Sequence, residues 1–436
     1  MLTEEGCTVA QSSGKSRWSW SELVLLLVLA SVQFTLIIDF VIVMPLGPAV
    51  KSALTLSNQQ FGWMVSAYGF TAAVTGLLAA VFLDRFDRKR SLLVLFAGFA
   101  LGTLLCGVAP NFLVLLLGRA VAGGFAGVMG ANVLAIVGDV FPESRRATAM
   151  GVIMSAFSVA SIVGIPAGIF LANQSSWQAP FLVLAGLCLP MLLMAWRVLP
   201  PLRGHLRRRG AQPATLLGVL RRLLGVLLHP THLRAYALMT ALVLSTFTIL
   251  PFLTIYLVNN VGRSMTELPY VWLCGGVGTL LTTTPVGYIA DRWGKLFVFR
   301  ALALFCLVPV LLITNLPPVS LVTTLLVTTL FMVATSGRMV PAMAMITASA
   351  APNQRGSFMS VNSSVQQMVM GAAPILSGLI LGAEPEGQTS RPLEGFPLVG
   401  VVAATAMVAS VLLAGRLRRG STDKSVPAEA LVEVTV

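Results

Sequence analysis

Apolar runs, each closed by a short polar interval, recur along the whole chain. They fall at about 23–46, 61–83, 91–109, 112–138, 147–172 and 179–199, then at 235–258, 268–290, 296–314, 319–348, 357–382 and 395–415. A bilayer core about 30 Å thick is crossed by roughly 20 apolar residues in a helix. The pattern therefore predicts an all-α membrane protein of twelve spans in two sets of six. A β-barrel is excluded, because its strands would be short alternating segments. The predicted organisation is a tail over 1–22, a six-helix bundle over 23–199, a linker over 200–234, a second bundle over 235–415 and a tail over 416–436. The first run is too long for the apolar region of a cleaved signal peptide.

Composition agrees with this reading. Of 436 residues 56% are hydrophobic and 10% charged, against about 25% charged in an ordinary soluble domain. Disorder, a disulfide scaffold, collagen and a water-soluble enzyme are excluded on that ground. Cys7, Cys106, Cys188, Cys274 and Cys306 contain no CxxC pair, and the last four lie in apolar runs, so buried thiols are expected and no metal or cofactor.

The net charge of +13 could signal nucleic acid, but its distribution gives another reason. With the N-terminus inside, 24 of the 29 Lys and Arg fall on the inner side. Lys51, Arg263 and Arg391 fall outside, and Arg119 and Arg338 lie within spans. Eleven of the 16 acids are also inside, so the inner side carries the whole +13. This asymmetry orients the chain in a plasma membrane, with both termini cytoplasmic. Loop economy suggests a bacterial inner membrane, and no nucleic-acid partner is needed. Within the linker, Leu216–Leu228 interleaves leucines with Arg221 and Arg222, which suits either an amphipathic helix on the inner leaflet or a solvated connection.

The halves repeat. Asp84-Arg85-Phe86-Asp87-Arg88-Lys89 after span two is matched by Asp291-Arg292-Trp293-Gly294-Lys295 after span eight, 207 residues on. Arg146 after span four is matched by Arg355 after span ten, 209 residues on. Two loops with nearly one spacing indicate parallel six-helix halves, the build of an alternating-access transporter with its site between them.

Gly287-Tyr288-Ile289-Ala290-Asp291-Arg292-Trp293-Gly294-Lys295 resembles the GxxxD(R/K)xG(R/K) loop of the major facilitator superfamily. The first copy departs from it, with Ala80 and Asp87 at the glycine positions. Arg119-Ala120-Val121-Ala122-Gly123 resembles the family's RxxxG core in span four. Gly164-Ile165-Pro166-Ala167-Gly168 is similar to its antiporter motif in span five, with the proline displaced by one. Together with Trp177-Gln178-Ala179-Pro180-Phe181, the chain looks like the sugar- and drug-efflux branch.

Ionisable groups within spans are few: Asp39, Arg119 and Arg338. Each costs about 2.5–3.5 kcal/mol at helix-centre depth on insertion scales, so each needs a partner or a task. Asp39 lies seven residues before Leu46 and Arg119 seven after Phe112, which puts both about 10 Å below the outer face. They are the candidates for proton coupling, as an ion pair broken by protonation or by a cationic substrate; a fixed bridge between helices is the other reading. The repeat mate of Asp39 is Thr246, so a carboxylate site would be single. Arg338 counts as about 28 Å from the outer end, near enough to the inner face to reach water.

The resemblance implies more. Spans one and four line the cavity of the first half in this family. Asp84, Arg85, Asp291 and Arg292 become gate residues, the two aspartates meeting positive helix ends in the outward-open state. Tyr68, Phe247, Tyr256, Met332 and Met339 become cavity candidates. Thr35 joins them one turn from Asp39. Ser360, Ser363, Ser364 and Gln367 share a face of span eleven and would bind substrate or lock helices.

The expected function is export of a small organic or amphipathic compound by alternating access, in exchange for protons. A lone Asp39 suits lipophilic, neutral or monocationic solutes. The alternatives are an uncoupled facilitator, a sugar exporter, or a sensor without flux. A monomer is expected. No HExxH, GxSxG or paired intramembrane carboxylates point to an enzyme.

Overall fold

Polar residues set where the apolar runs become helices. Ser19 and Glu22 cap Trp20–Ile42 reciprocally, and Ser57 and Gln60 do the same for Asn58–Phe82. Asn111 and Ser320 cap Phe112–Val140 and Leu321–Ala348 by accepting from the Val114 and Thr323 N–H groups. The computed structural model describes residues 19–83, 86–200, 202, 221, 224–351, 354–382 and 391–422. Most of the predicted amphipathic stretch Leu216–Leu228, and most of both terminal tails, lies outside the described residues.

Spans one to six are Trp20–Ile42, Asn58–Phe82, Arg88–Gly107, Phe112–Val140, a composite helix over 143–174 and Ala179–Val198. Spans seven to twelve are a broken helix over 230–259, then Leu268–Trp293, Lys295–Thr314, Leu321–Ala348, Arg355–Leu381 and Phe396–Thr422. Among the described residues eleven of these are long and apolar enough to cross a membrane. Span eight equals them in length, with Thr279, Thr282, Thr283 and Thr284 diluting its apolar run. The architecture is the all-helical one of twelve spans.

Proline accounts for three departures from straight helices. Span one stops at Ile42, four residues short of the expected Leu46, because Pro45 has no N–H to give and disfavours the helical conformation at Met44. A turn over 43–46 leads into the short helix Gly47–Leu54, with Pro48 in its first turn. Span five carries Pro166, and the wide π turn Ala160–Gly164 just before it takes up the missing hydrogen bond. Span seven is interrupted between Phe247 and Leu250, where Pro251 starts a second segment.

The halves meet mainly through span two against span eleven and span five against span eight. At the ends that the charge pattern places outside, they are closed on each other. The Thr254 hydroxyl donates to the Met44 carbonyl at 2.8 Å, the Asn173 amide to the Met265 carbonyl at 2.9 Å, and the rings of Phe61 and Phe252 meet edge to face at 5.4 Å. One continuous core therefore joins Ile42, Met44 and Phe61 to Phe252 and Ile255. At the opposite end the first half keeps a core of its own, including Leu29, Phe96, Ile136 and Ile153. Leu78, Leu113, Leu189, Leu281 and Leu326 are exposed, as lipid-facing positions should be.

Candidate functional site

The early end of span one creates the site. At a helix C-terminus the last carbonyls lack intrahelical donors. Here the N–H groups of Val43 and Met44 both turn to the Val41 carbonyl, leaving those of Asp39 and Phe40 unclaimed by the helix. The Arg119 guanidinium takes them. Its Nη1 donates to the Asp39 carbonyl at 2.7 Å and to Asp39 Oδ2 at 3.0 Å, and its Nη2 to the Phe40 carbonyl at 3.3 Å. A cation is favoured at this end of a helix in any case. Asp39 Oδ1 accepts from the Thr103 hydroxyl of span three at 3.0 Å. Both charges are fully buried.

Tyr68 of span two completes the enclosure, with the guanidinium 4.5 Å above its ring. Gly123 permits that approach, since a Cβ there would stand 2.3 Å from the Tyr68 carbonyl. The Phe40 ring lies 5.1 Å from Tyr68 and 6.0 Å from Phe247 of span seven, so an aromatic bridge crosses between the halves. Gly164 of the antiporter-like segment lets span five close on span one, where a Cβ would stand 2.3 Å from Ile38 Cδ1.

Arg338 corrects an expectation. It does not reach water at the inner face but is 1% exposed. Its Nη2 donates to Ser245 Oγ at 2.8 Å, Thr246 Oγ1 at 2.9 Å and the Leu242 carbonyl at 3.3 Å, all in the last turns of the first segment of span seven. Distance along span ten fixes depth in the bilayer, not the side to which a side chain turns. Arg338 points into its own bundle.

Other candidates separate. Thr35 is buried and donates to the Val32 carbonyl of its own helix, apart from the pair. Tyr256 is taken up in packing at the outer end, its hydroxyl on the Leu316 carbonyl at 2.9 Å and its ring stacked 4.4 Å from Phe396. Met332 is buried, with Sδ close against Gly275 of span eight, and Met339 is half-buried beside Arg338. The polar face of span eleven does not share one environment. Ser364 is buried near Gly76 and Gln367 is half-buried near Gly69, both against span two, while Ser360 donates back to Gly356 and Ser363 is exposed.

Among gate residues, Asp84 and Arg85 lie outside the described residues. Arg292 is exposed, and the Asp291 side chain is 76% exposed with Lys295 Nζ at 4.0 Å. That exposure accompanies the closure of the opposite ends. Phe40, Thr103 and Ser245 were not singled out from sequence. The proline at 45, which frees the carbonyls, was the legible signal near them.

Twelve spans in two repeated halves, with an ion pair buried between spans one and four, are the build of a membrane transporter. The chain belongs to the Major Facilitator Superfamily, whose family model matches residues 29–374 and 235–433. It is therefore a multi-pass membrane protein of a family of transporters. It is 27% identical over 391 residues to the uncharacterized MFS-type transporter YceJ of Bacillus subtilis (strain 168), covering 88% of this chain and 93% of that one. A probable sugar efflux transporter of Helicobacter pylori (strain G27) is 30% identical over 164 residues, 38% of this chain and 42% of that one. Among solved structures, a bacterial homolog of the human lysosomal transporter Spinster superposes with a TM-score of 0.75 at 17% identity, covering 94% of this chain and 100% of that chain.

Proposed function

We propose that the protein exports small organic or amphipathic compounds by alternating access, in exchange for protons carried by Asp39. The observation that carries this reading is the Asp39–Arg119 pair at 3.0 Å, in which both side chains are fully buried between spans one and four. An ion pair taken out of water rarely adds net stability over an apolar pair of similar size, so its retention calls for a task. Protonating Asp39 would remove its charge and weaken its hold on Arg119. The guanidinium also grips the Asp39 and Phe40 carbonyls, so loss of the charge would leave only those bonds to neutral groups and loosen the end of span one. Through Phe40 and Phe247 that movement would reach the second half, coupling the proton to the closure between halves. In the bacterial inner membrane, with both termini cytoplasmic, the gradient would then drive efflux, and no catalysis is involved.

The test is flux of amphipathic dyes in proteoliposomes with and without an imposed pH gradient. We expect wild type to be stimulated by the gradient and Asp39→Asn, still folded and inserted, to lose that stimulation. Equal stimulation of both would remove Asp39 from coupling. The Helicobacter pylori relative, called a probable sugar efflux transporter, favours a second reading in which a sugar is exported; accumulation of labelled sugars in the same vesicles distinguishes it. Failure to move any solute would favour a sensor.

A further inference from the structure

We infer that Arg338 is an anion-recognition residue and that the exported solute carries a carboxylate or comparable acidic group; this rests on the export function proposed above. The guanidinium is 1% exposed, and its Nε and Nη1 have no hydrogen-bond partner. Only Nη2 is used, on two hydroxyls and a carbonyl, none of which bears charge. Among the described residues no carboxylate pairs with it.

Buried cations are ordinarily paired, because an isolated charge in a low dielectric is strongly disfavoured. Arg119 shows how this chain meets that need, with Asp39. Thr246 stands at the position that repeats Asp39, so the corresponding acid is absent where Arg338 would use it. Nε–H and the two N–H of Nη1 are left over on different edges of the guanidinium, so a carboxylate would be held by a charge-assisted bond from one of these edges. The place also adjoins the contact between halves: Thr246, which holds Arg338, precedes Phe247, whose ring meets Phe40. Thr246, Phe247 and Met339 are only half-buried. An aromatic or lipophilic acid would lay its body on Phe40 and Phe247 and its acidic group on Arg338. The expectation of a neutral or monocationic solute counted Arg338 among water-exposed charges, and its burial reverses that balance.

The test is equilibrium binding of a matched pair, 1-naphthylacetate and 1-naphthylacetamide, to the full chain in nanodiscs. Wild type should bind the carboxylate about tenfold tighter or more, the range of a charge-assisted hydrogen-bonded pair. Arg338→Gln should bring the carboxylate down to the amide. Thr246→Asp, which keeps the cation but gives it an internal partner, should do the same, so the result does not depend on Arg338→Gln folding well. No carboxylate preference in wild type, including binding of neither compound, or a preference that survives both substitutions, overturns the inference. Gradient-driven, Asp39-dependent flux of the amide without carboxylate preference would leave the export function standing and sink only the acidic class. Carboxylate preference without any gradient dependence would do the reverse.

Discussion

The two halves solve one mechanical problem with different chemistry. In each, an arginine from the fourth helix reaches the end of the first helix segment, just before a proline-induced break. In the first half Arg119 meets a carboxylate and two carbonyls; in the second Arg338 meets two hydroxyls and one carbonyl. The shared part, an arginine at a helix C-terminus, fastens fourth helix to first. The part that differs is Asp39, a titratable carboxylate present at one junction and replaced by Thr246 at the other. Repetition supplied the scaffold, and one acid distinguishes the halves.

The largest break in this comparison should come from Arg119→Ala. It leaves Asp39 buried without its cation, and removing one partner of a buried pair costs about 3–5 kcal/mol. Thermal unfolding in detergent should fall well below wild type. Arg338→Ala, by contrast, strands only neutral hydroxyls, which retain bonds to the Leu242 carbonyl. Its loss should be the smaller; an equal or larger fall would mean that Arg338 has a buried acidic partner after all.

Asp291→Asn should act on conformation rather than stability. A carboxylate at a helix N-terminus is worth about 0.3–1 kcal/mol exposed and up to about 2 when partly buried. Because the Asp291 side chain is 76% exposed in the present state, the substitution should spare this state and weaken the opposite one several-fold. Labelling of single cysteines placed at the two ends of the halves reads that balance, and identical labelling would remove Asp291 from gating. Smallest should be Tyr256→Phe, which deletes one hydrogen bond to Leu316, worth about 1 kcal/mol. Unfolding should shift slightly with solute flux unchanged; a loss of flux at normal stability would return Tyr256 to the site.

Much of the fold is legible because lipid tolerates few patterns. Runs of some 20 apolar residues predict the span number, and the gathering of Lys and Arg on one side gives an expected orientation, both without reference to packing. Asp39 and Arg119 are legible for the same reason, as charges within spans are scarce. What sequence leaves open is rotation. Depth along span ten is countable, yet whether Arg338 faces water or its own bundle depends on helix packing. Tyr256 looks like a cavity residue by type, and only its neighbours Phe396 and Leu316 show it to be taken up. Phe40, Thr103 and Ser245 are ordinary in an apolar chain and gain meaning only from what stands across from them. Pro45, which shortens span one and exposes the carbonyls that Arg119 takes, carries information whose use depends on that partner.

The central claim, that Asp39 takes up and gives back a proton within its pair, is met most directly by infrared difference spectroscopy of the purified protein during a pH titration. The account predicts a protonated carboxylic acid C=O band that appears reversibly on acidification, vanishes in Asp39→Asn, and shifts in its titration in Arg119→Ala. An absence of any Asp39-dependent band across the range in which the protein transports would contradict it and leave the pair a fixed bridge.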